Sequence, residues 1–296
     1  MVRVVWVFAS ILLAAQAASA NCPPAGWSKD KLLALKAATF QIADVPTRER
    51  FAEAVVACLA SPDPELRDGI AFEALSHMLR QEQLGTEVRL RIARDLLRRL
   101  QGADGAGFER PFAALVLAEI VRADRIKAYL PGAMREAIAA DALSYVRGVK
   151  DYRGFDEREG WRHGVAHGAD LLMQMARNPN FAAPDLAAKI RDAAGAQVAP
   201  PGHFYIYGEP DRLMQPIVVL AQRKAFDAAA WSAWFADLAK PAPLATWGEA
   251  YRSQAGLARL HNLRAFLTSV LVTARLSENT DDDVLLAGAE AALREL

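Results

Sequence analysis

The chain has 296 residues and carries 35 basic and 35 acidic side chains, so its formal net charge is zero. A balanced charge argues against binding to nucleic acid or to an anionic membrane surface, because both attract a basic excess. The length is sufficient for a sizeable hydrophobic core, arranged as one elongated domain or as two compact ones.

Residues 1–20 have the pattern of a secretory signal peptide. Arg3 supplies the positive start, an apolar run follows it, and Ala18-Ser19-Ala20 forms a small-residue cleavage site. The apolar run is too short to span a bilayer. We therefore expect cleavage after Ala20 and a periplasmic or secreted mature chain without a membrane span.

The two cysteines, Cys22 and Cys58, would both lie outside the cytoplasm after export, where disulfides form and persist. Cys58 ends an apolar row that includes Phe51 and Val55, so we expect it to face other parts of the protein. A Cys22–Cys58 disulfide would tether an N-terminal helical segment over residues 21–62. The alternative is a buried Cys58 thiol that forms no bridge.

Cap and turn residues divide the remaining chain into successive helices. A Ser, Thr or Asp in an N-cap position, or a Pro in the first turn, precedes most of the apolar-periodic segments. Strand signals are scarce, and the aromatic stretch at 203–207 is interpreted as a loop. The sequence therefore predicts an all-α fold, with helices that begin near residues 28, 47, 64, 86, 111, 131, 159, 184, 210, 227, 246 and 283.

Four of these helix starts recur at nearly constant spacing. They lie near Pro64, Pro111, Gly160 and Pro210, which are 47, 49 and 50 residues apart, and each is followed by a second helix. Two helices per period of this length are typical of HEAT-like repeats, which stack into an α-α superhelix. We expect such a helical repeat solenoid over residues 63–296; an irregular helical bundle is the alternative.

The most unusual stretch is the helix predicted from Glu159 onward, where His163, His167 and Asp170 share one face. The two histidines are roughly 6 Å apart along the axis, close enough to share one metal ion, and zinc is the candidate. A hydrogen-bonded cluster that binds an organic ligand and a purely structural histidine pair are the alternatives. Gly164 and Gly168 each cost about 1 kcal/mol in a helix, which predicts close approach of a neighbouring helix.

The repeat interpretation also predicts an edge at which several polar side chains meet. In stacked helix pairs, the helix starts near Arg110, Glu159 and Glu209 would lie side by side. Arg212 would join the two histidines there, with Trp161 and Tyr207 as apolar walls. Arginines and helix N-termini favour an anionic or carboxylate-bearing ligand. The alternative is that Glu209 and Arg212 only cap their helix and pair on the surface.

Three short motifs resemble a bacterial family known as domain of unknown function 2785. They are Gly160-Trp161-x-His163-x-x-x-His167-x-x-Asp170-Leu171, Phe108-x-Arg110 with Phe112, and Glu209-x-x-Arg212-Leu213. The resemblance extends from roughly Leu66 to the C-terminus, although Pro111 stands where that family is expected to have a small polar residue. It implies an all-helical, repeat-like fold and no established activity.

Two functions remain open at this point. The first is a binding or scaffold module for a small molecule or a protein. The second is a metal-dependent hydrolase that uses His163 and His167, with Glu209 or Asp211 as third ligand or general base. A serine nucleophile is not indicated, because no Gly-x-Ser-x-Gly motif occurs. Whether the protein is an enzyme is not decided by the sequence.

Overall fold

A computed structural model describes residues 22–296 of the chain. The predicted signal peptide and its cleavage site lie outside these described residues. Within them, no helix is both long enough and apolar enough to cross a membrane. The fold is all-α, as predicted, and residues 22–296 divide into two compact units.

The first unit contains residues up to 123 and the segment 153–162. Asp44 begins its second helix by accepting a hydrogen bond from the Thr47 N–H, one turn earlier than the predicted start. The helices are α1 (Lys29–Ala37), α2 (Val45–Val55), a 3-10 segment (Val56–Ala60), a π-helix (Glu65–Phe72) that continues into α3 (Glu73–Arg80), α4 (Thr86–Gln101), and the larger part of α5 (Glu109–Ile126).

The N-terminal end of this unit is held by the predicted disulfide. Cys22 is bonded to Cys58, which is fully buried, and this confirms the pairing expected from the sequence. The ring of Trp27 lies 4.8 Å from the ring of Phe51 on α2, so the segment that follows Cys22 also packs on the apolar face of that helix.

The second unit contains residues 124–152 and 163–296. Its largest buried side chains include Trp231, Phe235 and Phe266. After the end of α5, its elements are α6 (Gly132–Gly148), α7 (Gly164–Arg177), α8 (Leu186–Ala196), α9 (Glu209–Gln222), α10 (Ala228–Leu238), a 3-10 segment (Trp247–Arg252), α11 (Gln254–Leu276), a 3-10 segment (Thr280–Leu285) and α12 (Leu286–Arg294).

A short β-hairpin replaces the first turn that was predicted for the central helix. Strand β1 (Phe155–Asp156) pairs antiparallel with β2 (Gly160–Trp161). Asp156 Oδ1 accepts hydrogen bonds from two turn amides, and Gly160 has a φ of +71° that favours glycine. The prediction of helix from Glu159 onward was therefore wrong, and α7 begins at Gly164.

Helices α7 and α9 are neighbours that run in the same direction. His163 contacts Tyr207, Asp170 contacts Arg212, and the Ala176 carbonyl contacts Arg223. The three contacts follow the same order along both segments, as two parallel neighbouring helices require. The HEAT-like stacking of the whole chain stays a prediction.

Candidate functional site

The loop before α9 is the centre of a polar cluster in the second unit. His163 Nε2 lies 3.1 Å from the backbone oxygen of Tyr207, and Glu209 Oε2 accepts a hydrogen bond of 3.0 Å from the Tyr207 N–H. A carbonyl oxygen only accepts, so the geometry assigns the ring proton of His163 to Nε2 and leaves Nδ1 as the basic nitrogen. The imidazole and the carboxylate thus bind the carbonyl and the amide of one residue, Tyr207.

His163 is the residue immediately before α7 and adopts a left-handed conformation, with a φ of +56°. This conformation is uncommon for residues other than glycine, although Asn, Asp and His adopt it more often than the rest. It places the His163 ring 5.8 Å from the ring of His167, measured between centroids. The two rings therefore remain neighbours even though only His167 belongs to the helix.

Burial and a nearby charge keep the His163 ring neutral. The pKa of His163 is lowered to about 4, mainly by loss of solvent and also by the positive charge of Arg212, while the hydrogen bond to Tyr207 acts in the opposite direction. At neutral pH the ring is therefore an uncharged hydrogen-bonding group.

Asp170 and Arg212 form an ion pair across α7 and α9, with 3.1 Å between Oδ1 and Nη1. The Asp170 side chain is 11% exposed, whereas that of Arg212 is 44% exposed. A nearly buried carboxylate thus orients a guanidinium group that still faces solvent in the first turn of α9.

Glu209 is the first residue of α9 and is only 2% exposed. Burial raises the pKa of its carboxyl, although backbone hydrogen bonds oppose this shift. Gly208, with a φ of +83°, turns the chain into the helix and directs Glu209 inward. The position of Glu209 at a helix N-terminus also favours a negative charge there.

Gly168 allows α6 to approach the histidine face closely. A Cβ added at this position would lie 2.8 Å from Val146 Cγ2 and 3.2 Å from Tyr145 Cε1. The Tyr145 hydroxyl also donates to the backbone oxygen of Gly164. The expectation that a neighbouring helix explains the glycine is confirmed at Gly168.

Residues 22–296 contain no group of three or more His, Cys, Asp or Glu side chains placed to hold a metal ion. The expected third ligands are engaged elsewhere: Glu209 accepts from the Tyr207 N–H, and Asp211 accepts from the Ser269 hydroxyl. The pair formed by His163 and His167 thus lacks a further described ligand that a catalytic zinc site requires.

The other two predicted site residues, Arg110 and Trp161, belong to the first unit. Arg110 Nε donates to the backbone oxygen of Leu100 at the end of α4, and its own N–H donates to Asp104. Trp161 is 36% exposed and packs on Phe155 across the hairpin, with 5.0 Å between ring centroids. Their assembly with the histidines into one ligand edge stays a prediction.

Sequence reasoning missed a buried arginine pair in the first unit. The guanidinium carbons of Arg67 and Arg162 lie 4.1 and 4.2 Å from the ring centroid of Phe108. Arg67 is fully buried and donates to the backbone oxygens of Ser61 and Glu159. The contact with both arginines gives the Phe108 motif a structural role. The sequence does not predict this contact, because the two arginines are 95 positions apart and belong to no common motif.

Sequence reasoning also missed Asn262, which is fully buried on α11. Its amide accepts from the Tyr205 N–H and donates to the His203 oxygen, so it binds the loop before α9 as a neighbouring strand would. A polar residue within the apolar row Leu260, Leu263 and Phe266 was the available signal.

No curated protein and no solved structure gives a significant match to the chain. The family described as "Protein of unknown function (DUF2785)" matches residues 96–272. This range includes all three motifs named above but begins further along the chain than Leu66. Because the match spans more than half of the sequence, the protein belongs to the DUF2785 family.

Proposed function

We propose that the second unit is a binding module for a small carboxylate-bearing ligand, held at the start of α9. Arg212 would bind the carboxylate, and the His163 ring beside it would remain uncharged. The observation that carries the proposal is the ion pair of Arg212, in which a nearly buried Asp170 fixes a guanidinium group that remains 44% exposed.

The chemistry of arginine supports this role. A guanidinium has five N–H donors in a planar fork, and the bond to Asp170 uses Nη1. The other donors suit the two oxygens of a carboxylate, which bind such a fork in a bidentate manner. The N-terminal amides of α9 add partial positive charge on the same side.

The neutral state of His163 favours a site that selects carboxylates over a site that binds anions of any kind. A protonated ring beside Arg212 would add a second positive charge, which would attract any anion and would repel the guanidinium. A neutral ring adds no charge, so recognition of the ligand depends on the planar fork of Arg212. The hydrolase alternative has less support, because the third metal ligand that it needs is not found among the described residues.

A thermal unfolding and calorimetry panel tests this function. The ligands are acetate, succinate and citrate, with succinamide as the uncharged analogue of succinate. We expect at least one carboxylate, and not succinamide, to bind the wild type and to lose at least tenfold in affinity in Arg212→Gln. Arg275→Gln removes an exposed arginine at the end of α11 and should bind normally. Equal affinities in all three proteins would contradict the proposal, as would no binding by any carboxylate.

We also propose that the protein works outside the cytoplasm. The Cys22–Cys58 disulfide supports this location, because such bonds form in oxidising compartments. Intact-mass spectrometry of exported protein should show an N-terminus at Asn21 and a gain of about two mass units on reduction. A retained leader would contradict the export proposal. Zinc in stoichiometric amounts in the same sample would favour the hydrolase alternative instead.

A further inference from the structure

A pocket lies at the opposite ends of α7 and α9 from the His163 cluster. It has a volume of about 310 Å³ and is bounded by the last turn of α7, residues 181–187 and the end of α9. This volume is within the range of small-molecule sites, which begins at roughly 300 Å³. All of its lining residues belong to the second unit.

The side chains that line this pocket are mainly hydrocarbon, and the polar part of its wall comes from backbone groups and Arg223. Met175, Leu186, Ile190 and Leu220 are buried side chains that contribute to it, and alanines complete much of the remaining surface. Arg223 is the charged residue among those that line the pocket. The lining thus combines an apolar body with a single positive group.

Arg223 is fixed in place but keeps its charge uncompensated. Its Nη1 donates to the backbone oxygen of Ala176 at 2.6 Å, and Arg223 is exposed. Among residues 22–296 the structure gives this side chain no other hydrogen bond and no ion pair. Capping the last carbonyls of α7 explains the position of the guanidinium. It does not explain why no carboxylate accompanies the guanidinium beside an apolar pocket.

We propose that this pocket binds an aliphatic carboxylate, with the hydrocarbon chain among the apolar side chains and the carboxylate on Arg223. Charge complementarity selects the head group, because the remaining N–H donors of Arg223 fit the two carboxylate oxygens. Burial of each methylene group contributes about 0.8 kcal/mol, so a medium-length chain gains far more than acetate. The inference is independent of the ligand proposed for Arg212, which binds at the other end of the helices.

Three probes separate the head group from the chain. Decanoate carries both, decanol carries only the chain, and acetate carries only the charge. Binding is followed by calorimetry below the critical micelle concentrations and by the methyl NMR signal of Met175, a buried lining residue. We expect one decanoate per chain, weaker binding of decanol, and no measurable binding of acetate at this pocket.

Four variants test whether decanoate and decanol bind at this pocket. Arg223→Gln should weaken decanoate at least tenfold and leave decanol unchanged, whereas Arg275→Gln should leave both unchanged. Ala187→Trp on α8 should fill the pocket and abolish binding of both probes. Ala183→Trp, at an exposed rim position, is the second filling variant in case Ala187→Trp does not fold.

Several outcomes would overturn the inference. They are decanoate binding that persists in both filled variants, equal affinity for decanoate in Arg223→Gln and wild type, or no change in the Met175 signal on saturation. Loss of decanoate binding in Arg212→Gln but not in Arg223→Gln would assign the carboxylate to the other site. In that case the pocket proposal fails while the proposed function stands.

Discussion

Acid should destabilise the protein through His163 before most carboxylates are protonated. The pKa of this ring is lowered from 6.5 to about 4 in the folded chain, so the unfolded chain binds the proton more tightly. The stability that the protein gains by keeping His163 neutral is therefore fully present above pH 6.5. It is lost as the pH falls from there toward 4.

The size of this loss follows from the two pKa values. Complete protonation of His163 would lower the free energy of unfolding by at most roughly 3 kcal/mol, and about 2 kcal/mol of this would be lost by pH 5. His163 is only partly buried, so solvent screening reduces the effect. We expect a decrease of about 1–2 kcal/mol between pH 7 and pH 5 that is attributable to this residue.

The perturbation that isolates His163 is substitution by asparagine. Asn tolerates the left-handed conformation and keeps an N–H donor for the Tyr207 oxygen, but it does not titrate. Urea unfolding of wild type and His163→Asn should be measured from pH 7 to pH 5. The difference between the two free energies of unfolding should narrow or reverse by about 1–2 kcal/mol toward pH 5. A difference that stays constant over this range would refute the reasoning.

Three further predictions concern stability. Cys58→Ser removes a disulfide between residues 36 positions apart, and the loss of this loop constraint should lower the free energy of unfolding by about 4 kcal/mol. Reductant should destabilise the wild type by a similar amount and should not change the stability of the variant. Asp124→Asn disrupts a fully buried carboxylate that an arginine, an asparagine and two backbone amides bind, and urea unfolding should show a loss of about 3–5 kcal/mol. The matched exposed change Asp185→Asn should have a much smaller effect, and equal losses would contradict the role of burial. Gly168→Ala should lower the free energy of unfolding by about 1–2 kcal/mol, because the steric cost of overpacking against α6 exceeds the gain in helix propensity. A more stable variant would contradict this prediction and would show that α6 can move away from the added methyl group.

The parts of the fold that local rules determine could be predicted from the sequence. Apolar periodicity and caps identified most helices, and two cysteines in a chain with a predicted signal peptide indicated one bond. The hairpin before α7 could not be found in this way, because its turn depends on Asp156 and on a glycine with positive φ. Two-residue strands leave too little alternation to detect.

The candidate site was only partly predictable for the same reason. Helical spacing placed His163, His167 and Asp170 on one face, and His163 reaches that face from a left-handed position outside the helix. The partner of Asp170 lies 42 positions away on α9, and residue spacing alone does not specify such a contact. The role of Asn262 also depends on tertiary packing, since a loop becomes its partner only after α9 and α11 are assembled.

The most direct test of the proposed binding site is the pKa of His163, measured by NMR of isotope-labelled imidazole with and without a carboxylate. The positive charge of Arg212 contributes to the lowered pKa, so a carboxylate bound to that guanidinium should raise it. We predict an upward shift on saturation with the tightest-binding carboxylate of the panel, and a similar rise in ligand-free Arg212→Gln. A His163 pKa that is unchanged at saturating ligand would contradict the proposal that Arg212 and His163 form the binding site.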